Sequence, residues 1–381
     1  MSGLLDWLRG LLGDSGPDPA IRPSAAPAAR PPAAPAPPPV AADAAPEAPA
    51  DPPFAPFARA LGIEEPAPPE PADPEAEAAI EALAAPVLEH FRKNRPGPAS
   101  APSLSLRILN LVAAPDADIA ELSRLVSADP ALTAGVLTVA NSPNFRAVQE
   151  VETVREAIAR LGFEEVARIA GAVSAKSLFS PRLKAELQTH GARFAALYHR
   201  ALTVAGGAAW LAMQRRGGRS DRAYLGGMLH DVGKSVALRS VSALALSGGA
   251  GLAAGDPRLD VLLDRVHLEI GGEVHQEWAL PEFATVICVR HHDRKIPAGD
   301  DWVDLHVVRL ASALRLCHTR PLQASWLEEV GQSGRALGLD RFGLRSFDAE
   351  VRTFSQRASA LARQGAPAPA GTAAAGLRPR R

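Results

Sequence analysis

Apolar residues recur at helical spacing along most of this chain. Leu4, Leu5, Trp7, Leu8, Leu11 and Leu12 follow an i, i+1, i+3, i+4, i+7, i+8 pattern and predict a short amphipathic helix over residues 1–14, stopped near Gly13. The helical pattern returns with a leading helix over 76–94. It continues through Ile108-Leu109, Leu111-Val112, Ile119, Leu122, Leu125-Val126, Leu132, Val136-Leu137 and Val139. Asp129-Pro130 reads as a helix start, with Asp129 as the N-cap and Pro130 in the first helical position. Asn141-Ser142-Pro143 closes that helix. Val154, Ala157-Ile158 and Leu161 form the next apolar face, with Gly162 where a C-terminal glycine belongs. Sustained period-2 alternation is missing, as are Asn-Gly and Asp-Gly hairpin signals, so the fold class is all-α.

Composition narrows where the folded body lies. With 381 residues, 47% of them hydrophobic, there is apolar material for a sizeable helical domain, but more than half of the 35 prolines fall between Pro17 and Pro74. Residues 15–75 therefore read as a disordered Pro/Ala-rich linker, and 365–381 as a disordered tail. Between them the expected parts are the leading helix, a domain over 95–297 and a C-terminal helical extension over 298–364. Phe54, Phe57, Leu61 and Ile63 make a small apolar island in the linker, either a docking segment or a chance cluster. The N-terminal helix is too short to stand alone in water. It carries Arg9 against Asp6 and Asp14, which favours docking on a protein partner over a lipid surface.

Net charge is −1 without a basic stripe, so nucleic acid is not an expected partner. No apolar run reaches the roughly 18 residues of a membrane span, and the start does not read as a signal peptide. The two cysteines, Cys288 and Cys317, sit in apolar helical surroundings and read as buried free thiols. The expected location is the cytoplasm.

Candidate chemistry centres on Leu229-His230-Asp231-Val232-Gly233-Lys234, a His-Asp doublet closing an apolar helical run. His267 and the pair His291-His292 follow downstream. Imidazole and carboxylate together suit divalent transition metals such as Fe, Mn or Zn, which polarise a phosphoryl oxygen and acidify a bound water.

Several ordered motifs carry a resemblance. Ser127-Ala128-Asp129-Pro130-Ala131-Leu132-Thr133, Val139-Ala140-Asn141-Ser142-Pro143 and Ala157-Ile158-Ala159-Arg160-Leu161-Gly162 resemble the first half of HDOD domains. Gly227-Met228-Leu229-His230-Asp231-Val232-Gly233-Lys234, His267-Leu268-Glu269-Ile270-Gly271, Trp278-Ala279-Leu280-Pro281 and His291-His292 continue it. The resemblance implies a multi-helix bacterial regulatory module related to the HD and HD-GYP phosphohydrolases. It places His230, Asp231, His267, His291 and His292 at metal-site positions, and Lys234 where a phosphate contact could stand.

The match departs from catalytic relatives at two places. Their early His falls on Arg200, with His199 one residue off and so turned by about 100° on a helix. Their late Asp falls on Ser312, a poor metal ligand. Arg200 is expected to repel a metal and pair with the Asp231 carboxylate. Three readings stay open: a non-catalytic signalling scaffold, which the blunted site favours; a metal-dependent phosphohydrolase acting on a nucleotide or cyclic dinucleotide; and a receptor holding a nucleotide through Arg200 and Lys234. Asp129 and Asn141 read as capping and turn residues, Trp278 as a core anchor, and His190, His275, His306 and His318 as surface or satisfied core residues.

Overall fold

The computed structural model describes residues 61–62, 74–95 and 103–365, apart from positions 115, 117, 143–144, 146–149, 216–217, 249–250 and 300–301. The helix expected over 1–14, nearly all of the linker and the tail beyond 365 lie outside the described residues. Among the described residues every regular element is helical. The order is α1 (Pro74–Lys93), α2 (Ser103–Ala113), α3 (Ile119–Ser127), α4 (Pro130–Ala140), α5 (Val154–Leu161), α6 (Phe163–Lys176), a 3-10 turn at Ser177–Phe179, α7 (Lys184–Met213), α8 (Ser220–Leu229), α9 (Val232–Leu246), α10 (Arg258–Glu277), α11 (Glu282–Arg290), α12 (Val303–Thr319), α13 (Ala324–Ala336) and α14 (Arg341–Gly365). No helix among these residues is long and apolar enough to cross a membrane.

Local chemistry sets several boundaries. Asp129 Oδ1 accepts a hydrogen bond from the Leu132 amide at 3.1 Å, so α4 begins as its Asp-Pro start predicts. Thr153 and Glu156 form a capping box at the start of α5. Gly162, at φ +84°, ends α5 in a conformation that side chains rarely adopt and turns the chain directly into α6. Asn141 goes beyond its turn role: its Nδ2 donates to Val151 O and its Oδ1 accepts from Val151 N, both at 2.8 Å, which ties the end of α4 to the approach of α5.

Two apolar clusters form the core. The first runs from α1 to α11 and includes Phe91, Ile169, Phe194, Leu229 and Leu263. Trp278, at the end of α10, is an anchor in it. The second lies among α7, α8 and α12 to α14, with Val204, Val308, Val330 and Phe347. The C-terminal helices thus share a core with α7 and α8, and Leu61 of the linker's apolar island packs against it. Cys288 is buried, but Cys317 is only partly so, a correction explained by its place in the last turn of α12, where the helix reaches the surface. His190 is a satisfied core residue, bonded to Leu252 O and Ser242 Oγ, each at 2.9 Å.

Candidate metal centre

His230 and Asp231 occupy the sharp junction between α8 and α9, where Leu229 ends one helix and Val232 begins the next. Glycines let neighbouring helices close on this corner. A Cβ at Gly227 would lie 2.6 Å from Ala205 Cα on α7, and one at Gly233 would lie 2.1 Å from His267 O on α10. Close backbone contact at Gly233 therefore sets Asp231 beside His267. His291 and His292 follow directly after α11, which packs on α10.

The five predicted site residues come together here. His230 Nδ1 donates to Gly227 O at 2.8 Å, His267 Nδ1 to Asp264 O at 2.8 Å, and His291 Nδ1 to Cys288 O at 3.0 Å. A carbonyl only accepts, so each Nδ1 carries the hydrogen and each Nε2 turns to the centre. His230 Nε2 stands 3.6 Å from Asp231 Oδ2; His267 and His291 Nε2 stand 3.5 and 3.7 Å from Asp231 Oδ1. All three Nε2 atoms and Asp231 Oδ1 are buried without a hydrogen-bond partner.

Burial pushes His230 down to about 4 and His267 down to about 3, and it takes His291 well below the ordinary range. These imidazoles are neutral at physiological pH. Burial opposes the Asp231 charge, but the Lys234 ammonium holds that carboxyl well below its usual value. Three lone pairs and a carboxylate therefore face one another, an arrangement that a cation between them relieves. Histidine nitrogens fixed by backbone carbonyls, together with one carboxylate, form a donor set that fits a divalent transition metal. A second group joins His267, His291 and His292. His292 is held through Nδ1 by Glu329 Oε1 at 2.8 Å.

The predicted cations are placed otherwise. Arg200 does not pair with Asp231. Its guanidinium lies 3.5 Å from Asp260 Oδ1, a carboxylate it shares with Arg193 and Arg320. The reason is that Lys234, one turn into α9, already holds Asp231 Oδ2 at 2.8 Å and reaches Asp264 Oδ1 at 3.0 Å. Asp264 also pairs with Arg320. Both expected phosphate contacts are thus engaged by carboxylates. Ser312 is buried in α12. Sequence reasoning missed Asp264, Arg315 and Arg320; Asp264 stands three residues before His267, and that i, i+3 spacing was the available signal.

No curated protein matches this chain. Among solved structures, an HDOD domain protein of unknown function from Geobacter sulfurreducens is 23% identical, with a TM-score of 0.53 over 74% of this chain and 98% of its own. A protein from Shewanella amazonensis SB2B, provisionally described as a metal-dependent phosphohydrolase, is 19% identical, with a TM-score of 0.50 over 72% of this chain and 99% of its own. At these identities the likeness is one of fold. The profile of the HDOD domain matches residues 99–294, which include the α8–α9 corner and both downstream histidine positions, and the chain belongs to the HDOD domain family.

Proposed function

We propose that this chain is a non-catalytic regulatory module whose His/Asp cluster is a sealed cation site. The observation that carries this reading is burial: His230, His267 and His291 are each 1% exposed and Asp231 is 4% exposed. A hydrolytic metal needs an open position that substrate and water can reach. Here helices pack over the donors, Lys234 occupies the second oxygen of Asp231, and Ser312, buried in α12, is the residue that the resemblance aligns with the late carboxylate of catalytic relatives.

His230, Asp231, His267 and His291 would hold Fe, Mn or Zn, with His292 and Glu329 beside them. A metal bound there supplies Lewis-acid polarisation; in this reading it ties α8 to α11 together instead. The apolar segment at 4–12, carried on the Pro/Ala-rich stretch, would dock on a protein partner and raise the local concentration of the folded body. The setting for this role is the cytoplasm.

The test is a hydrolysis assay of the full chain on nucleotides and cyclic dinucleotides, with Mn, Fe or Zn supplied, beside Asp231→Asn. Both proteins should stay at background, while the wild type alone retains metal through gel filtration. Turnover present in the wild type and lost in Asp231→Asn would overturn the reading.

A further inference from the structure

Between α12 and α14 lies a cavity of about 430 Å³ whose lining includes Arg315, His318, Thr319, Arg352, Ser355 and Gln356. Arg315 is its unusual member. It is 4% exposed, and among the described residues its guanidinium makes one hydrogen bond, to Thr319 Oγ1 at 3.3 Å, while its Nε has no partner. No carboxylate among the described residues comes within ion-pair distance of it. The neighbouring cations are different: Lys234, Arg200 and Arg320 each hold a carboxylate.

The carboxylate in this region is not available to Arg315 either. Asp348 is taken by His318 Nε2 at 2.6 Å and by Arg352 Nε at 3.2 Å. Burial, then repulsion from Arg200, lowers Arg315 to about 10, so it remains a cation at neutral pH. Asp231 and Asp264 attract it from beyond ion-pair distance, but a buried guanidinium without a direct ion pair is costly, and a partnerless buried donor calls for an explanation. The Thr319 hydroxyl already donates to Arg315 O at 2.9 Å, so the neutral donors beside the guanidinium are the Ser355 hydroxyl and the Gln356 amide. That set matches a phosphate group, which accepts from guanidinium and hydroxyl donors together. The volume suits a nucleotide-sized molecule, and among the described residues no Phe, Tyr or Trp lines the cavity to stack on a base.

We propose that this cavity binds a phosphate group, free or esterified to a small molecule, with Arg315 as the principal contact. The cavity lining shares no residue with the His/Asp cluster, although Arg315 interacts electrostatically with His230 and Asp231, and the site stands whether or not that cluster holds a metal. Filling it would neutralise a charge that acts on Asp231, giving the module a ligand input.

Inorganic phosphate and adenosine monophosphate are titrated in parallel into the full chain by calorimetry, at constant ionic strength maintained with chloride. Saturable binding is expected, with Tm rising by about 2–4 °C at ten times the dissociation constant. Tighter binding of the ester assigns a phosphoester; tighter binding of the free anion assigns phosphate; either supports the site. Arg315→Met should abolish the response. Ser355→Glu, which sets a carboxylate in the cavity and leaves Arg315 in place, should do the same if the first variant does not fold. A wild type that binds neither ligand, or a folded variant that binds as the wild type does, overturns the proposal.

Discussion

Lys234 Nζ lies 2.8 Å from Asp231 Oδ2, one turn along the same helix, with both side chains almost wholly buried. The same ammonium reaches Asp264 on α10, so a single cation balances carboxylates at the α8–α9 corner and on the helix that carries His267. Removing it strands a buried negative charge. Lys234→Met should cost about 3 kcal/mol in urea unfolding. Adding Asp231→Asn to that variant should recover part of the loss, because the stranded charge goes with it. A cost below about 1 kcal/mol for the single change would sink this account.

Gly233 bears on the same corner through space instead of charge. A Cβ there would meet His267 O at 2.1 Å and Gly271 N at 2.7 Å, both backbone atoms that cannot swing aside. Gly233→Ala should push α9 off α10 and destabilise the fold by about 3 kcal/mol. Gly255→Ala serves as the control, since nothing lies within 4 Å of its added methyl. It should stay within about 0.5 kcal/mol of the wild type. Equal thermal shifts for the two variants would show that the close approach does not matter.

The helical fold was legible because its signals are local. Asp129-Pro130, the Thr153-Glu156 box and Gly162 each act within one turn, and apolar spacing marks the faces between them. His230-Asp231 and His291-His292 could be picked out as doublets, and His267 through its motif. The ion pairs were another matter. Arg200 and Asp260 lie on different helices, and no spacing rule links them; the pairing exists because α7 and α10 both pack against α9, which brings the two side chains within reach. Arg315 belongs to no motif, and its lack of a direct ion pair is a matter of tertiary packing, in which Asp348 of α14 is taken by His318 and Arg352. Asp264 was the avoidable omission, one helical turn from a histidine already singled out.

Asn141 carries more than its place in a turn suggested. Its amide closes two 2.8 Å hydrogen bonds with the backbone of Val151, a residue only 4% exposed. Asn141→Ala leaves a buried N–H and a buried C=O without partners, a loss of about 2–3 kcal/mol. Asn141→Asp keeps the acceptor and loses the donor, so it should fall between alanine and wild type. Amide exchange at Val151 reads the change directly. Protection unchanged in the alanine variant would mean that another group holds this segment.

His275 makes acid sensitivity testable away from the metal-binding residues. It is fully buried on α10, bonded to Thr285 Oγ1 at 3.2 Å and Leu229 O at 3.4 Å, and burial pushes it down to about 4. Its unfolded value is about 6.5, so the unfolded chain takes up the proton first. Stability from this residue is therefore intact above about pH 6.5 and is lost as pH falls from there toward about 4, at up to ~1.4 kcal/mol per pH unit. His275→Gln lacks the titrating group, and the other buried imidazoles act on both proteins alike. Urea unfolding at pH 7.5 and 5.0 should show the stability gap between wild type and variant closing by about 2 kcal/mol at the lower pH. A gap that stays constant would mean that His275 does not carry the acid response assigned to it.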